Sequence, residues 1–385
     1  MTIDFLDLSA SYNYLKAELD EAVLRVLASG RYILGEEVEK FETEWAQYCG
    51  SKFAIGVGNG LDALFLALKA SDIGEGDEVL VPSFTFIATW LAVSRTGAKP
   101  VPIDCDYRTF NINGTLIEKA ITPRTRAIIP VHLFGQPADL REISKIADKY
   151  SLEVIEDAAQ AHGAEYHGLK IGGHGNTACW SFYPGKNLGA AGDGGAITLN
   201  CEVMYKKLKN ISNYGSDSKY HHTHQGINSR LDEMQASVLT VKLKYLDLMN
   251  LRRRKIAGYY LDHLKDASFT LPHVAENRIP VWHQFVIKCR DRSYWAQKLK
   301  SFGVPTLVHY PVSPHKQPAY ADKEFCDTSL PMAEQLQDEV LSLPIDPMLA
   351  ESQYSEIVDS ILSEPSVKMS GSARNRRGGN QKNVN

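Results

Sequence analysis

The sequence has little with which to build a disulfide framework or a zinc ribbon. Its six cysteines, Cys49, Cys105, Cys179, Cys201, Cys289 and Cys326, are scattered and include no C-x-x-C pair. That usage suits a reducing compartment, so a cytoplasmic protein is expected. Long hydrophobic runs are missing too. No apolar stretch reaches the ~18 residues of a membrane-spanning helix, and the N-terminal MTIDFLDLSASY carries acids where a signal peptide carries bases. An excess of charge of one sign is also absent. With 42 basic against 46 acidic residues the formal net charge is -4, which offers no field for nucleic acid or an anionic membrane. No internal repeat is visible. What is present, at 385 residues and 44% hydrophobic, suffices for a large core with a smaller companion.

Between residues 50 and 200, short apolar runs alternate with helical stripes, the rhythm of βαβ units around a mainly parallel sheet. EVLVPSF, KPVPID, RAIIPVHLF and LEVIEDAA read as strands. DLREISKIADKY places Leu140, Ile143, Ile146 and Ala147 on one helical face. After Gly226 the stretch from Arg230 to Leu264 reads as one long helix or two in tandem. VWHQFVIKC, YWAQKLKSFG, PTLVHYPV and a last helix over 351–362 then predict a smaller α+β unit. The expected division is 1–250, 251–365 and a tail, 366–385. The tail has no acid and no apolar periodicity, so it is expected to be disordered. A helix over about 15–29 is expected to pack with the smaller unit.

Four stretches carry candidate chemistry. SFYPGKNLGAAGDGG isolates Lys186 among glycines. The residue is either a surface lysine in a turn or a nucleophilic amine, which needs a partly desolvated setting to attack a carbonyl. A Walker loop fails, because Asn187 follows the lysine and the first glycine is missing. IGVGNGLDALFLAL is a strand, a glycine turn and an apolar-faced helix. It is a plain tight turn, or a helix start whose free N–H groups hold a phosphate. Leu61 stands where a dinucleotide fingerprint needs its third glycine. VIEDAAQAHG ends a strand on Glu156 and Asp157, where an acid is a helix cap or a partner for a cationic ligand such as a protonated pyridine nitrogen. His162, just beyond, is a core histidine by the commoner pattern. Finally, NYGSDSKYHHTHQGINSRLDEMQA contains His221, His222 and His224 without an acid or cysteine at ligand spacing, so no metal is expected.

In combination and order, GNGLDALFLAL, VPSFTFIAT, HLFGQPADL, EDAAQAHGA, SFYPGKNLGAAGDGGAI and NSRLDEMQA resemble the DegT/DnrJ/EryC1/StrS sugar aminotransferases, from about Phe5 to Leu362. The resemblance implies an α/β fold type I enzyme dependent on pyridoxal 5'-phosphate, with a mostly parallel mixed sheet between helices. It implies that Lys186 carries the Schiff base and moves the proton. Asp157 would pair with the pyridine nitrogen, Gln160 would lie beside the ring oxygen, and Phe86 would stack on the ring. Gly60, Leu61 and Ser181 would hold the phosphate, with Asn228 reaching it from the other subunit of a homodimer. Leu61 departs from the threonine or serine of many members, which leaves the backbone to do more there. The implied partners are glutamate and a nucleotide-linked keto sugar. Lys219, Arg230 and His309 are candidates for its diphosphate. The motifs look most like the branch that aminates C-3 of a dTDP-linked 3-oxo-6-deoxyhexose, with C-4 or cyclitol amination as alternatives. Dehydrating relatives carry histidine in place of the lysine. A non-catalytic regulator would keep the same pocket.

Overall fold

The computed structural model describes residues 3–321 and 328–363. The tail expected to be disordered, 366–385, lies outside the described residues. Helices α1 (Leu8–Ser29) and α2 (Glu36–Cys49) precede β1 (Phe53–Val57), α3 (Gly60–Ala70), β2 (Glu78–Pro82), α4 (Ala88–Thr96) and β3 (Lys99–Ile103). There follow α5 (Gly114–Ala120), β4 (Thr125–Ile128), α6 (Leu140–Tyr150) and β5 (Glu153–Asp157). Two short strands, β6 (Glu165–Tyr166) and β7 (Leu169–Lys170), lead to β8 (Thr177–Ser181) and β9 (Gly195–Leu199). One seven-stranded sheet has the order β1-β9-β8-β5-β4-β2-β3. It is parallel from β8 to β3, while β9 runs antiparallel to both of its neighbours.

Helices cover both faces, so β2 and β9 are buried at every residue instead of alternating. On one face α3 and α4 pack over Val79, Val81 and Ile197. On the other, Trp45 of α2 meets Trp180 edge-on, with ring centroids 4.9 Å apart. The expected stripe over 139–150 is α6. Asp139 caps it by accepting from the Glu142 N–H at 3.2 Å, and Leu140, Ile143, Ile146 and Ala147 are its buried residues.

The second half holds α7 (Glu202–Ser212), a small hairpin of β10 (Ser216–Ser218) and β11 (His221–His222), α8 (Glu233–Leu243), α9 (Leu246–His263) and β12 (Arg278–Ile279). After these come β13 (Phe285–Lys288), α10 (Arg292–Ser301), α11 (Pro331–Glu339), β14 (Val340–Leu343) and α12 (Glu351–Leu362). The long helical stretch is thus two helices in tandem. Antiparallel β13 and β14 form their own sheet over a core of Ile256, Tyr260, Phe285, Leu341 and Ile357.

One expectation needs correction, the packing of the N-terminal helix, and the expected division is crossed by a helix. The division at residue 250 falls inside α9, a continuous helix. Its Asn250 donates to the His162 carbonyl, whereas Ile256, Ala257 and Tyr260 enter the smaller core. The N-terminal helix starts at Leu8, and its Leu15, Leu19 and Ala22 pack on Val238 and Val241 of α8, on the large-domain side. Among the described residues before it, Ile3 joins the smaller core. PTLVHYPV makes one bridge, Leu307 to Ser342, and Pro305 and Pro311 supply no N–H for a longer ladder.

The segment entering α8 ties distant parts together. Ser229 Oγ accepts from Gly58 N–H at 3.0 Å and donates to Asp62 Oδ2 at 2.7 Å. Leu231 packs so closely on Gly56 that a Cβ there would lie 2.7 Å from its own. The Glu233 carboxylate accepts the N–H groups of Gly35, Glu37 and Val38 at 2.6, 3.0 and 3.1 Å, capping α2 from another helix. Gln235 Oε1 accepts from Ala191 N–H at 2.8 Å.

Candidate active site

The carboxyl ends of β5 and β8, the start of α3 and the loop after β8 converge, as ligand crevices do in open α/β sheets. Lys186 sits on that loop. The loop folds back on itself through Lys186 N–H to Tyr183 O and Ala190 N–H to Phe182 O, both 2.8 Å. Lys242 Nζ braces it from below by donating to Gly189 O at 2.7 Å. Asn187 locks it from the side. Its Nδ2 donates to Asn250 Oδ1 and to Val281 O, each at 2.9 Å, and its Oδ1 faces His283 Nδ1 at 3.1 Å. That pattern leaves Oδ1 only the acceptor role, so neutral His283 carries its proton on Nδ1. Burial, with the charge of Lys186 next, pushes the His283 imidazole far below its usual range.

Burial pushes the Lys186 amine down to about 8, partly opposed by the charge of Asp157. A substantial neutral fraction near neutrality is what a nucleophilic amine requires. Asp157, buried at the end of β5, is pushed upward by desolvation, against the pull of its donors and of Lys186. Its Oδ2 accepts from Thr89 Oγ1 at 2.8 Å and its Oδ1 from Ala159 N–H at 3.2 Å. Thr89 in turn lies 3.1 Å from Thr85 Oγ1. Beneath it, His132 Nδ1 accepts from Ala138 N–H at 3.0 Å, so its Nε2 donates to Glu156 at 2.9 Å.

Gly60 and Leu61 open α3, where Asn59 Oδ1 accepts from Asp62 N–H at 2.8 Å as the cap. A Cβ at Gly60 would come within 2.7 Å of Ser181 Cβ, so the helix start and Ser181 lie against each other. Such a start favours an anion. The negative Asp62 of that first turn is neutralised by Arg95 at 2.5 Å. Gln160 is buried: its Oε1 accepts from Phe134 N–H at 2.6 Å and its Nε2 donates to Tyr310 Oη at 3.0 Å. Phe86 leaves 54% of its surface open, with its ring 5.6 Å from that of Tyr310. A phosphate, an aldehyde and a basic ring nitrogen thus find a helix start, a partly neutral amine and a buried carboxylate, and the residues fit pyridoxal phosphate.

The structure brings Lys186, Asp157, Gln160, Gly60, Leu61, Ser181 and Phe86 into one region. His309 joins them: its Nδ1 lies 2.8 Å from Ser342 Oγ, and burial, then the charge of Lys186, push it down to about 4. Asn228 does not converge on the site within the chain. It is exposed and bridges Asn213. Lys219 is exposed beside Tyr220, whereas Arg230 is engaged with Asn213 Oδ1 at 2.9 Å and the Tyr214 ring. Of the histidine group, His221 binds Asp217 at 2.7 Å, and no cluster that could hold a metal occurs among the described residues. His162 lies in the core among Trp45, Trp180 and Phe182, pushed down to about 3 by burial. Sequence reasoning missed Thr89, Tyr310, Asn187 and His283. The only local signal for Thr89 was a hydroxyl-rich turn, SFTFIAT, after a buried strand.

Comparison with known proteins agrees with this geometry. The chain matches the DegT/DnrJ/EryC1/StrS aminotransferase family over residues 13–362. It is 49% identical over 360 residues to the dTDP-3-amino-3,4,6-trideoxy-alpha-D-glucose transaminase of Streptomyces venezuelae, covering 93% of this chain and 95% of that one. It is 50% identical over 359 residues to the dTDP-3-amino-3,6-dideoxy-alpha-D-galactopyranose transaminase of Aneurinibacillus thermoaerophilus, covering 93% and 98%. Among solved structures, S. venezuelae DesV in complex with a ketimine intermediate superposes with a TM-score of 0.92, covering 94% of this chain and 97% of that one. Matched by the family over most of its length and sharing the fold of its solved members, the chain belongs to the DegT/DnrJ/EryC1/StrS aminotransferases, fold type I enzymes that depend on pyridoxal 5'-phosphate.

Proposed function

We propose that this aminotransferase moves the amino group of glutamate to C-3 of a dTDP-linked 3-oxo-6-deoxyhexose, giving the 3-amino-3,6-dideoxyhexose nucleotide. The observation that carries this is near-50% identity, across more than nine-tenths of the chain, to two transaminases named for dTDP-3-amino sugars. Pyridoxal phosphate, when bound, supplies the carbonyl for the donor's nitrogen and the electron sink for the carbanion. The chain's own residues do the rest. Lys186, a partly neutral amine, would hold the cofactor through its carbonyl and, when free, would take and return a proton as general base and acid. Asp157, braced by Thr89 and Ala159, would hold a positive ring nitrogen in a site of low polarity, and the start of α3 with Ser181 would hold the phosphate. His309 and Lys219 are offered for the sugar diphosphate. Arg230, already engaged by Asn213, adds charge instead of a free donor fork.

The test is incubation with glutamate and, separately, the dTDP-3-oxo and dTDP-4-oxo sugars, with the new C–N bond located by NMR. Turnover of the 4-oxo sugar alone overturns the C-3 assignment and leaves the aminotransferase intact. Absence of any amination would favour a cofactor-binding regulator.

The active form proposed is a homodimer with shared sites. Supporting it, an apolar groove of about 700 Å³ runs between α1 and α8 beside the lysine loop, lined by Leu8, Leu19, Leu24, Pro184 and Val238. Leu24 on its rim is 62% exposed. A second copy would cover it. Mixing Lys186→Ala with Asn228→Ala chains should restore part of the activity in hybrids. Dead hybrids despite subunit exchange would refute sharing through Asn228.

A further inference from the structure

Gln160 has a side-chain amide that two contacts orient. Its oxygen is spent on the Phe134 N–H at 2.6 Å, and one hydrogen of its nitrogen is spent on the Tyr310 hydroxyl at 3.0 Å. These bonds fix both the plane of the amide and which end is nitrogen. They leave one N–H, for which no acceptor occurs among the described residues. Tyr310 lies 150 residues further along the chain. Its segment is anchored to β14 by Leu307–Ser342 backbone bonds in both directions, at 2.8 and 3.3 Å, and by His309 Nδ1 to Ser342 Oγ. Its ring lies 6.5 Å from Phe84 and 5.6 Å from Phe86, so the hydroxyl is delivered beside the open face of Phe86. Burial and the negative charge of Asp157 push the phenol up, so it remains a protonated hydroxyl while it accepts from Gln160.

We propose that Tyr310 is a positioning residue of the active site: by clamping the Gln160 amide it aims the remaining N–H at the oxygen on the cofactor ring. This rests on the pyridoxal phosphate reading above and goes beyond it, because the clamp comes from the smaller unit. Gln160 is then a good donor only when the β13–β14 side of the molecule is seated against β5.

The consequence is measurable without turnover. Pyridoxal phosphate bound to Lys186 absorbs visibly, and its spectrum changes when the linking nitrogen loses its proton and negative charge is left on the ring oxygen. A hydrogen bond to that oxygen favours the deprotonated form and lowers the midpoint of the change. Tyr310→Phe keeps the ring against Phe84 and Phe86 but removes the clamp, so the midpoint should rise by about 0.5–1 pH unit, the worth of an ordinary hydrogen bond. In a Gln160→Met background, where no amide remains to be aimed, the same Tyr310→Phe change should leave the midpoint where it is. An unmoved midpoint in Tyr310→Phe overturns the proposal. So does a shift that persists undiminished in Gln160→Met, which would mean that the hydroxyl acts on the ring directly. Wild-type protein that gives no such absorbance, no different from Lys186→Ala, would overturn the cofactor reading itself and this proposal with it.

Discussion

Replacing Thr89 by valine removes one hydroxyl from a buried site and keeps the branched shape. That hydroxyl is the shorter of the two donors to Asp157, at 2.8 Å against 3.2 Å for Ala159 N–H. Hydrogen bonds to a charged group contribute about 1.5–3 kcal/mol each. At 1.36 kcal/mol per tenfold, losing one where Asp157 must be ionised to hold the ring nitrogen should slow the glutamate half-reaction about 10–100-fold. Desolvation already pushes the carboxyl up, and the Thr89 hydroxyl is the strongest influence holding it down. Without Thr89 the acid limb of the rate must therefore move to higher pH. Rapid mixing with glutamate, followed by absorbance across the neutral range, reads both quantities. Folding should lose up to about 1.5–3 kcal/mol, because a buried carboxyl loses a donor and Thr85 its partner at 3.1 Å, so the rates are compared on folded, cofactor-loaded protein. A half-reaction within about two-fold of wild type, less than one such bond is worth, with an unmoved acid limb would refute the idea that Thr89 tunes Asp157.

Three further outcomes are expected. Borohydride reduction of the cofactor-loaded protein followed by peptide mapping should place the adduct on Lys186, and Lys186→Ala should lose turnover; an adduct elsewhere would sink the assignment. Burial raises the Glu42 carboxyl from 4.5 to about 7, its one backbone donor being Gly56 N–H. The folded state then holds a proton that the unfolded chain has released, so this group's contribution to stability is greatest below about 4.5 and is lost as pH rises through 7, by at most roughly 3 kcal/mol. Glu42→Gln should flatten that decline in urea titrations, and an equal decline in the variant would count against it. Glu233→Ala strips three N–H groups at the start of α2 of their acceptor and should cost about 2–4 kcal/mol. A melting temperature within a degree of wild type would show that water replaces the carboxylate without loss.

Where chemistry or periodicity was local, the sequence was readable. The stripe of α6 and the span of α12 could be read from apolar spacing, and Lys186, Asp157 and the α3 turn from their place at the ends of short apolar runs. Helix α8 was harder because it is covered by both α1 and α2. Glu233, Ala236, Ser237 and Thr240 are all buried, so polar residues break the stripe. Thr89 and Tyr310 gave no signal of their own, since each acquires its role from a partner 68 or 150 residues away. A hydroxyl in an apolar string looks the same whether it fills space or aims an acid.

The residues from Asn228 to Gln235 bear on how this chain can vary in length. Successive side chains there serve different destinations: Ser229 the turn before α3, Leu231 strand β1, Glu233 helix α2 and Gln235 the end of the lysine loop. Because each destination is a fixed step along the segment, one extra residue would misdirect all those beyond it at once. The β10–β11 hairpin just upstream is exposed and bonds within itself and to the neighbouring turn at Asn213 and Tyr214, so length change belongs there. A single glycine inserted after Arg230 should abolish soluble, cofactor-binding protein. The same glycine inserted after Lys219 should leave cofactor binding intact, and equal tolerance at the two places would show that the segment is not in register with the site.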